Sequence, residues 1–348
     1  MPIVKTSLTL DDLPAAPEGK QGWPWTESIL PLSHTMPNGC EWPLISIVTP
    51  SYNQGQFLEE TIRSVLLQGY PNIEYIIIDG GSTDNSVDII KKYEQHLTYW
   101  VSEPDRGQSN ALNKGFRRVT GQLIGWQNSD DYYHPTSFVN AAQASVLLKD
   151  IDIIYGSVNC VDQDRKFLKV GYVSQFNYQE MLPWANMFNQ SMFFRDKIFK
   201  EENFINEHFQ HFMDYDFFWR LAVKGYKFHC VPEINAYFRF HLNSKGYYQP
   251  DIVGREYLEI CKLIYNQENI PDTVKSKAIE CFRSFCLDFY GKSNLPIFRW
   301  SVQELVSLAG IQSLSIEIVF KYLISLLGLR NVEFLRKSKS MFTIKNAR

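Results

Sequence analysis

The feature that most constrains the fold is a regular alternation of short apolar runs and amphipathic stretches between residues 44 and 128. The apolar runs lie at 44–49, 75–78, 97–101 and 123–127, and their length and content are typical of buried strands. The stretches between them place apolar residues at helical spacing. Because strands that alternate with helices assemble into a mostly parallel sheet covered on both faces, the sequence predicts an α/β fold.

The same pattern divides the chain into three regions. Residues 1–42 are rich in Pro, Gly and Trp and are predicted to form an extended arm, which three tryptophans would anchor: Trp23, Trp25 and Trp42. Residues 43–249 carry the alternating pattern and its less regular continuation, in which strands are predicted at 151–158 and 227–231 and a helix at 214–224. Residues 250–348 are predicted to be helical with a basic tail. The helices of the last region are expected near 251–268, 271–290, 297–309 and 313–328.

Composition limits the functional classes open to the chain. The net charge of −3 provides no strong field for nucleic acid, so nucleic-acid binding is not expected. Six scattered cysteines without a C-x-x-C pair argue against a zinc ribbon and favour reduced thiols in a cytosol. The sequence has no long uninterrupted apolar run and no signal-peptide pattern, so we expect a cytoplasmic protein without a membrane span.

Polar clusters follow three of the predicted strands, at 50–55, 79–84 and 128–131. In open α/β sheets, ligands bind outside the carboxyl ends of the strands. One such cluster alone is often a turn followed by a helix cap. Three clusters at the same edge of one sheet instead predict a binding site.

The third cluster contains two adjacent carboxylates, Asp130 and Asp131. Near an apolar sheet, each resists ionisation unless a cation or hydrogen-bond donors favour its charged form. One interpretation is a helix N-terminus with Pro135 in its first turn. The other, which the neighbouring clusters favour, is a site for Mg²⁺ or Mn²⁺ whose shell is completed by phosphate oxygens.

A nucleoside diphosphate would suit both ends of this edge. Asp79 can accept hydrogen bonds from a base or ribose, and Gly80 and Gly81 allow close approach of the backbone. The sequence has neither the dinucleotide fingerprint nor the phosphate-binding loop, so metal and basic side chains are expected to hold the phosphates. The candidates, which would equally suit a polar turn and a solvated helix face, are Arg106, Asn113 and Lys114.

Three stretches taken together resemble the family-2 glycosyltransferases with the GT-A fold: ISIVTPSYNQGQFLEETIRSVLLQGYPNIEYIIIDGGSTDNS, SEPDRGQSNALNKG and GWQNSDDYYHP. The resemblance covers about residues 44–245. It implies a Rossmann-like GT-A domain that moves a sugar from a nucleotide-sugar donor to an acceptor hydroxyl, with inversion at the anomeric carbon. It also implies a role in making surface polysaccharide or glycolipid on a saccharide or lipid-linked acceptor.

The resemblance assigns donor-binding roles by position. Pro50, Tyr52 and Asn53 would line the nucleotide pocket. Asp79 would bind the base, which is most often uracil in this family, so a UDP-sugar is the expected donor. The chain departs from the family pattern at Gly80, where many relatives carry a second acidic residue.

The resemblance also places the metal and the phosphates. Asp130 would bind Mn²⁺ or Mg²⁺ as the second aspartate of a D-x-D element, and Asp131 would support the ribose or the metal. Asn128 stands where many relatives carry the first aspartate of that element. His241, in the stretch YFRFHLNSKG that resembles a loop closing over the donor, would touch phosphate or metal.

A further stretch, HFMDYDFFWRLAVKGYKF, resembles the acidic pair and aromatic helix of the family. Asp214 would be the catalytic base, and its alternative role is that of a helix N-cap. Met213 stands where relatives often have Glu. Asp216 is predicted to lie in the first turn of a helix, where the helix dipole favours a carboxylate.

Two questions stay open at this level. The last predicted helix and the basic residues after it would suit either peripheral contact with an anionic membrane or packing as a terminal subdomain. The protein would be an inverting transferase, and the alternatives are a sugar-nucleotide nucleotidyltransferase and a non-catalytic protein that binds nucleotide sugars.

Overall fold

The computed structural model of the chain describes residues 7–177, 181–182, 187–242, 244 and 250–328. These residues form two compact units. The first unit holds the described residues up to 244, apart from 181–182. The second holds 181–182 and 250–328.

The first unit is built on a nine-stranded sheet within the described residues. The strands are β1 (Ile45–Ser51), β2 (Ile73–Asp79), β3 (Tyr99–Ser102), β4 (Leu123–Trp126), β5 (Tyr132–Tyr133), β6 (Ile153–Asp162), β7 (Phe167–Gly171), β8 (Phe193–Arg195) and β9 (Phe228–Phe240). They follow the order β3-β2-β1-β4-β8-β6-β9-β5, and β7 pairs with β6.

The first four strands form the parallel part of the sheet. β1 pairs in parallel with both β2 and β4, and β2 pairs in parallel with β3. Every residue of β1 and β2 is buried, as expected for strands covered on both faces. The predicted α/β fold and its first four strands are therefore confirmed.

Beyond β4 the sheet is mixed. β8 runs antiparallel to both β4 and β6, whereas β9 runs parallel to β6. β9 is also longer than the strand predicted at 227–231. Register shifts in its pairing with β6 accommodate the stretch around Pro232 and Glu233, which interrupts the apolar pattern from which the strand was predicted.

Helices cover the sheet. The first unit contains α1 (Gly55–Leu66), α2 (Ser86–Lys92), α3 (Gln108–Phe116), α4 (Ser137–Leu147), α5 (Asp196–Lys200) and α6 (Met213–Val223). α3 packs on β1 and β2, so its first turn lies beside the edge where those strands end. No helix in the described part of the chain is both long and apolar enough to cross a bilayer.

The N-terminal arm is held as the sequence predicted, because its three tryptophans are buried. The indole nitrogen of Trp23 donates to the carbonyl oxygen of Tyr133 at 2.9 Å. The buried Arg63 of α1 donates to the carbonyl oxygens of Pro14, Pro24 and Trp25, and its guanidinium lies 5.4 Å from the Trp25 ring centroid. One buried cation therefore fastens the arm by satisfying three of its carbonyl groups.

The second unit is helical, as predicted. Its helices are α7 (Pro250–Asn266), α8 (Asp272–Gly291), α9 (Leu295–Ala309) and α10 (Ile316–Ser325). Tyr257 of α7, Phe282 of α8 and Phe298 of α9 are fully buried in its core. Capping is visible at α10, where the Ser315 hydroxyl accepts from the backbone N–H of Ile318.

Candidate functional site

The first two polar clusters lie side by side at the carboxyl edge of the sheet. Ser51, Asp79 and Ser102 are register partners in neighbouring strands. The backbone N–H of Gly80 donates to Ser51 O at 2.8 Å, and that of Glu103 donates to Asp79 O at 3.0 Å. The loops after β1, β2 and β3 therefore start from one line, as parallel strands require.

Asp79 shapes the loop that follows it. Its carboxylate is fully buried. Oδ2 accepts from the backbone N–H groups of Gly81 and Ser82 and from the Ser102 hydroxyl, and Oδ1 accepts from the Ser82 hydroxyl at 2.5 Å. Gly81 has φ +82°, a conformation that glycine adopts without strain. Asp79 thus fixes the position of the loop that a base or ribose would meet.

The loop after β1 offers an exposed aromatic ring. Tyr52 is 62% exposed, whereas Pro50 is buried within β1. Asn53, at φ 51°, accepts from the backbone N–H of Thr83 through Oδ1 and donates its own N–H to the Ser82 hydroxyl, both at 2.8 Å. Asn53 therefore joins the first two clusters, and Tyr52 offers a ligand an exposed aromatic side chain.

The departure at Gly80 has a structural reason. A Cβ at this position would lie 2.8 Å from Oδ2 of Asp105. Asp105 is held in place by an N–H from Gly107 to its Oδ1 at 2.8 Å. The space of a side chain at position 80 is therefore filled by the carboxylate of Asp105, a residue that the sequence did not single out. The sequence feature that could have identified Asp105 is the Asp-Arg-Gly turn in which it lies.

Asp131 is a buried structural residue. Its Oδ1 accepts from the backbone N–H of Arg239 at 2.8 Å, and its Oδ2 accepts from the side-chain amides of Gln190 at 2.7 Å and Asn128 at 3.1 Å. Burial, and then the charge of neighbouring Asp130, raise the pKa of Asp131 to about 8. The sequence predicted that this pair would resist ionisation, and Asp131 is the member that does so.

The helix-cap interpretation of this pair is wrong. The next helix, α4, begins at Ser137 with Thr136 as its N-cap, and strand β5 lies between the aspartates and that helix. Pro135 accordingly precedes the helix and is not in its first turn.

Asn128 acts through its side-chain amide, which both accepts and donates hydrogen bonds. Its Oδ1 accepts from the indole of Trp126 and from the side chain of Gln108, both at 2.8 Å, while its Nδ2 donates to Asp131. An aspartate here could not donate to Asp131 and would place a second charge beside it. The departure from the family pattern therefore stabilises this turn.

Asp130 faces outward and pairs with a buried histidine. Its side chain is 22% exposed, and its Oδ2 lies 3.0 Å from Nε2 of His241, which is 2% exposed. Nδ1 of His241 is buried and has no hydrogen-bond partner among the described residues. The Phe57 ring packs on the imidazole, with centroids 4.8 Å apart.

This pair fits a divalent cation. Carboxylate oxygen and imidazole nitrogen are suitable ligands for Mn²⁺, and the Asp130 oxygen and Nε2 of His241 lie close enough to share one ion once their direct contact opens. The unpartnered Nδ1 lies on the other side of the imidazole ring from Nε2 and does not face Asp130. Within the described residues, no group of three or more His, Cys, Asp or Glu side chains is arranged around a metal position. A cation here would therefore take most of its ligands from the bound molecule and from water.

The neighbouring Arg239 is occupied in the structure. Its guanidinium is buried, pairs with Glu60 at 2.7 Å, and donates to the carbonyl oxygen of Asp130 at 2.8 Å. Residues 237–240 of the predicted loop belong to β9, so the loop interpretation is wrong for them. Residues 243 and 245–246 of that stretch lie outside the described residues.

The predicted phosphate ligands meet acidic partners in this structure. Arg106 pairs with Glu207 at 2.6 Å, and Lys114 pairs with Glu103 at 2.7 Å. Asn113 is buried and exchanges hydrogen bonds with the backbone of Ile205. Their binding to phosphate stays a prediction, and Arg106, being 76% exposed, is the one with most freedom to reach a ligand.

Glu207, which the sequence did not single out, forms hydrogen bonds with side chains of α3 and of the loop before it. Its carboxylate accepts from the side chains of Arg106, Asn110 and Asn113. Burial raises its pKa, but the hydrogen bonds from Asn113, Asn110 and Arg106 outweigh burial, so the pKa of Glu207 lies below its ordinary value. No local pattern marks this residue, because its partners are about a hundred positions away.

Asp214 lies in the first turn of α6 and is half-buried. Phe212 is the N-cap of this helix, so the capping interpretation of Asp214 is wrong. Asp216 is buried and pairs with Arg220 at 2.8 Å, which confirms its predicted place at the helix start.

The first turn of α3 connects Asp214 with the Asn128–Asp131 turn. The Ser109 hydroxyl donates to Sδ of Met213 at 2.9 Å, and the preceding residue, Gln108, donates to Asn128. Two successive residues of one helix thus contact the neighbours of Asp214 and Asp130. The structure therefore brings the segments that carry the candidate base and the candidate metal ligand to the same end of α3.

Comparison with known proteins finds a family model and several relatives that match the chain. The family model of Glycosyl transferase family 2 matches residues 46–243. The chain is 29% identical over 209 residues to an uncharacterized glycosyltransferase of Rickettsia felis, a match that covers 57% of this chain and 34% of that protein. It is 40% identical over 94 residues to TuaG of Bacillus subtilis, a putative teichuronic acid biosynthesis glycosyltransferase, covering 26% and 36%. The matches span about a third of these relatives.

A solved structure shares the fold. S. aureus TarS in complex with UDP has a TM-score of 0.59 at 13% sequence identity, over 86% of this chain and 91% of that chain. A second TarS structure, in complex with UDP-GlcNAc, also has a TM-score of 0.59, at 14% identity over 83% and 87%. The predicted GT-A fold is thereby confirmed.

Proposed function

The chain belongs to glycosyl transferase family 2, and we propose that it moves a sugar from a nucleotide-diphosphate sugar to an acceptor hydroxyl, with inversion at the anomeric carbon. The observation that carries the proposal is the shared contact of α3 with the neighbours of Asp130 and Asp214. An inverting transfer needs charge stabilisation on the leaving-group side and a base on the acceptor side. These two carboxylates meet both needs at one end of a helix.

Asp214 is the proposed base. One of its oxygens takes the proton of the acceptor hydroxyl while the hydroxyl oxygen attacks the anomeric carbon. The bond from that carbon to the diphosphate oxygen breaks, and the diphosphate leaves with the electron pair. The backbone N–H of Tyr215 donates to Oδ1 at 2.7 Å, which orients the carboxylate. A general base contributes about 10²–10⁴ in rate.

Asp130 and His241 are the proposed residues for Mn²⁺ or Mg²⁺. Such an ion would neutralise the negative charge that develops on the departing diphosphate. Asp131 accepts hydrogen bonds from Asn128 and Gln190 and thereby fixes the turn. The Asp130 side chain therefore stays directed outward, and its own turn supplies no second ligand. In this proposal Asp131 acts on the ribose or the metal indirectly, by positioning the turn that carries Asp130.

The donor is proposed to be a UDP-sugar, with the base between Tyr52 and the Asp79–Gly81 loop. The exposed ring of Tyr52 offers a stacking surface, and the loop presents backbone groups that Asp79 holds still. The TarS structures with UDP and UDP-GlcNAc, which share the fold, support this choice of donor. Arg106 would meet the diphosphate once it exchanges Glu207 for a phosphate.

The acceptor is proposed to be a growing surface polysaccharide or a lipid-linked saccharide, in line with the putative role of TuaG in teichuronic acid biosynthesis. We place the protein in the cytoplasm, where nucleotide sugars are available, with peripheral contact to a membrane. Family membership removes the support for a nucleotidyltransferase.

The remaining rival is a non-catalytic protein that binds nucleotide sugars, suggested by Asn128 and Met213. Both departures have structural partners here, namely Asp131 and Ser109, so neither indicates decay.

The test has two stages. A thermal-shift screen of nucleoside diphosphates and nucleotide sugars, with and without Mn²⁺, should show the largest stabilisation for UDP and one UDP-sugar. With the sugar donor so identified, UDP release should be lost in Asp214→Asn and retained in Asp150→Asn, a matched change at an exposed carboxylate. Binding without turnover in the wild type would support the rival, and retention of anomeric configuration by NMR would refute the mechanism.

A further inference from the structure

Helix α10 and the turn after it carry an exposed apolar face. Six large apolar side chains there are between 40% and 91% exposed: Ile316, Val319, Phe320, Leu323, Leu326 and Leu327. Their spacing of three and four residues places them along one side of the helix. We refer to these six residues as the α10 face.

The opposite side of the helix is packed. Ile318 and Ser325 are fully buried. The Tyr322 ring lies 6.4 Å from that of Phe298 in α9, and the Lys321 ammonium lies 5.2 Å from the Tyr290 ring centroid in α8. α10 is thus fixed on α8 and α9 by one side. The sequence left packing and membrane contact as alternatives. The packed side of α10 accounts for the first, and the second stays a prediction for the exposed side.

We propose that the α10 face docks on an anionic membrane surface. The sequence that directly follows it, 329–348, contains six basic residues and one acid, Glu333, which gives it a net charge of +5. A helix with one apolar side lies in the membrane interface with that side among the acyl chains, and adjacent basic residues are attracted to anionic headgroups. The apolar side chains of α10 and the positive charge that follows them in the sequence are therefore both features that favour an anionic membrane.

The dimensions of the face favour a bilayer over a second copy of the chain. A stable protein interface buries about 800 Å² on each partner and involves roughly 20–30 residues a side. The α10 face is a single strip of six side chains, with the Glu317–Lys321 ion pair beside it. Such a narrow strip matches the few ångströms of depth that an interfacial helix occupies. This inference rests on the proposed function only for its purpose, which is to bring a lipid-linked acceptor within reach.

The experiment uses the full chain in a flotation assay with vesicles of phosphatidylcholine, with or without phosphatidylglycerol. The wild type should float with the anionic vesicles, fail to float with phosphatidylcholine alone, and dissociate as salt is raised. The double variant Phe320→Ser/Leu323→Ser should bind more than about tenfold more weakly, because two large apolar side chains no longer enter the bilayer. The matched control is Leu30→Ser/Leu147→Ser, which changes two side chains that are 85% and 80% exposed elsewhere.

Three outcomes would overturn the docking proposal. They are a wild type that stays unbound to anionic vesicles, a control variant as defective as the α10 variant, and a dimer in light scattering that the α10 variant alone dissociates while flotation is unchanged. Stabilisation by UDP, measured on all variants without vesicles, reports the donor site separately. Flotation without any nucleotide binding would leave the docking proposal intact and sink the proposed function.

Discussion

The loop after β2 and the turn after β4, which lie on either side of β1, differ in where the hydrogen-bond donors to their buried aspartates come from. In the loop after β2, Asp79 accepts from residues two and three positions ahead and from Ser102 in the next strand. In the turn after β4, Asp131 accepts from Asn128, Gln190 and Arg239, of which the last two come from distant parts of the chain. Asp130, its neighbour, keeps a partly exposed carboxylate. The role of each aspartate is therefore decided by the donors around it.

The largest expected effect separates Asp130 from Asp131. Asp130→Asn should lower kcat/KM about 10²–10³-fold, the range typical for loss of one charge-stabilising group. Because the side chain is partly exposed and Asn keeps a hydrogen bond to His241, unfolding by urea should shift little. Donor turnover over a range of Mn²⁺ concentrations measures the first effect. Unchanged turnover would mean that the two neighbours do not differ in the way described.

The next effect is one of stability. Asp131→Ala should lower the free energy of unfolding by about 2–3 kcal/mol, because three donors, two of them fully buried, lose their acceptor. Urea denaturation measures it, with Asp130→Asn as the matched control at the adjacent position. Equal midpoints for these two variants would contradict the assignment of Asp131 as the structural member of the pair.

Asp79→Ala should cost less, about 1–2 kcal/mol, since its loop lies at the edge of the sheet and water can reach several of the freed donors. The same variant should lose UDP-dependent stabilisation in thermal shift, because the loop would no longer be fixed. If UDP stabilises the variant as it does the wild type, binding of the uracil base does not depend on this loop.

The smallest effect concerns Glu207, which holds α3 beside both loops. Because its folded pKa is lowered, its stabilising contribution is fully present above the unfolded value of about 4.3 and is lost as pH falls through the folded pKa. A partly exposed group of this kind contributes about 0.2–1 kcal/mol. Glu207→Gln should remove that part of the acid dependence of the unfolding midpoint. An unchanged acid slope would show that the contact adds no stability.

Local pattern was enough for the parallel half of the fold and for most helices. Apolar runs and helical spacing marked β1 to β4 and the four helices of the second unit, because burial imposes those periods directly. The same rule could not give β8 or the extent of β9. A three-residue strand carries no period, and a strand interrupted by Pro232 is held together by its neighbour β6.

The sequence by itself determined which residues end the strands, and so where a ligand meets the sheet, because parallel strands must finish at one edge. Tertiary structure alone decided which carboxylate is buried and which is open. It brought Gln190 and Arg239 to Asp131, set Asp105 in the space beside Gly80, and joined Glu207 to α3. Those partners lie far apart along the chain, and only the packed fold brings their donors and acceptors within hydrogen-bonding distance.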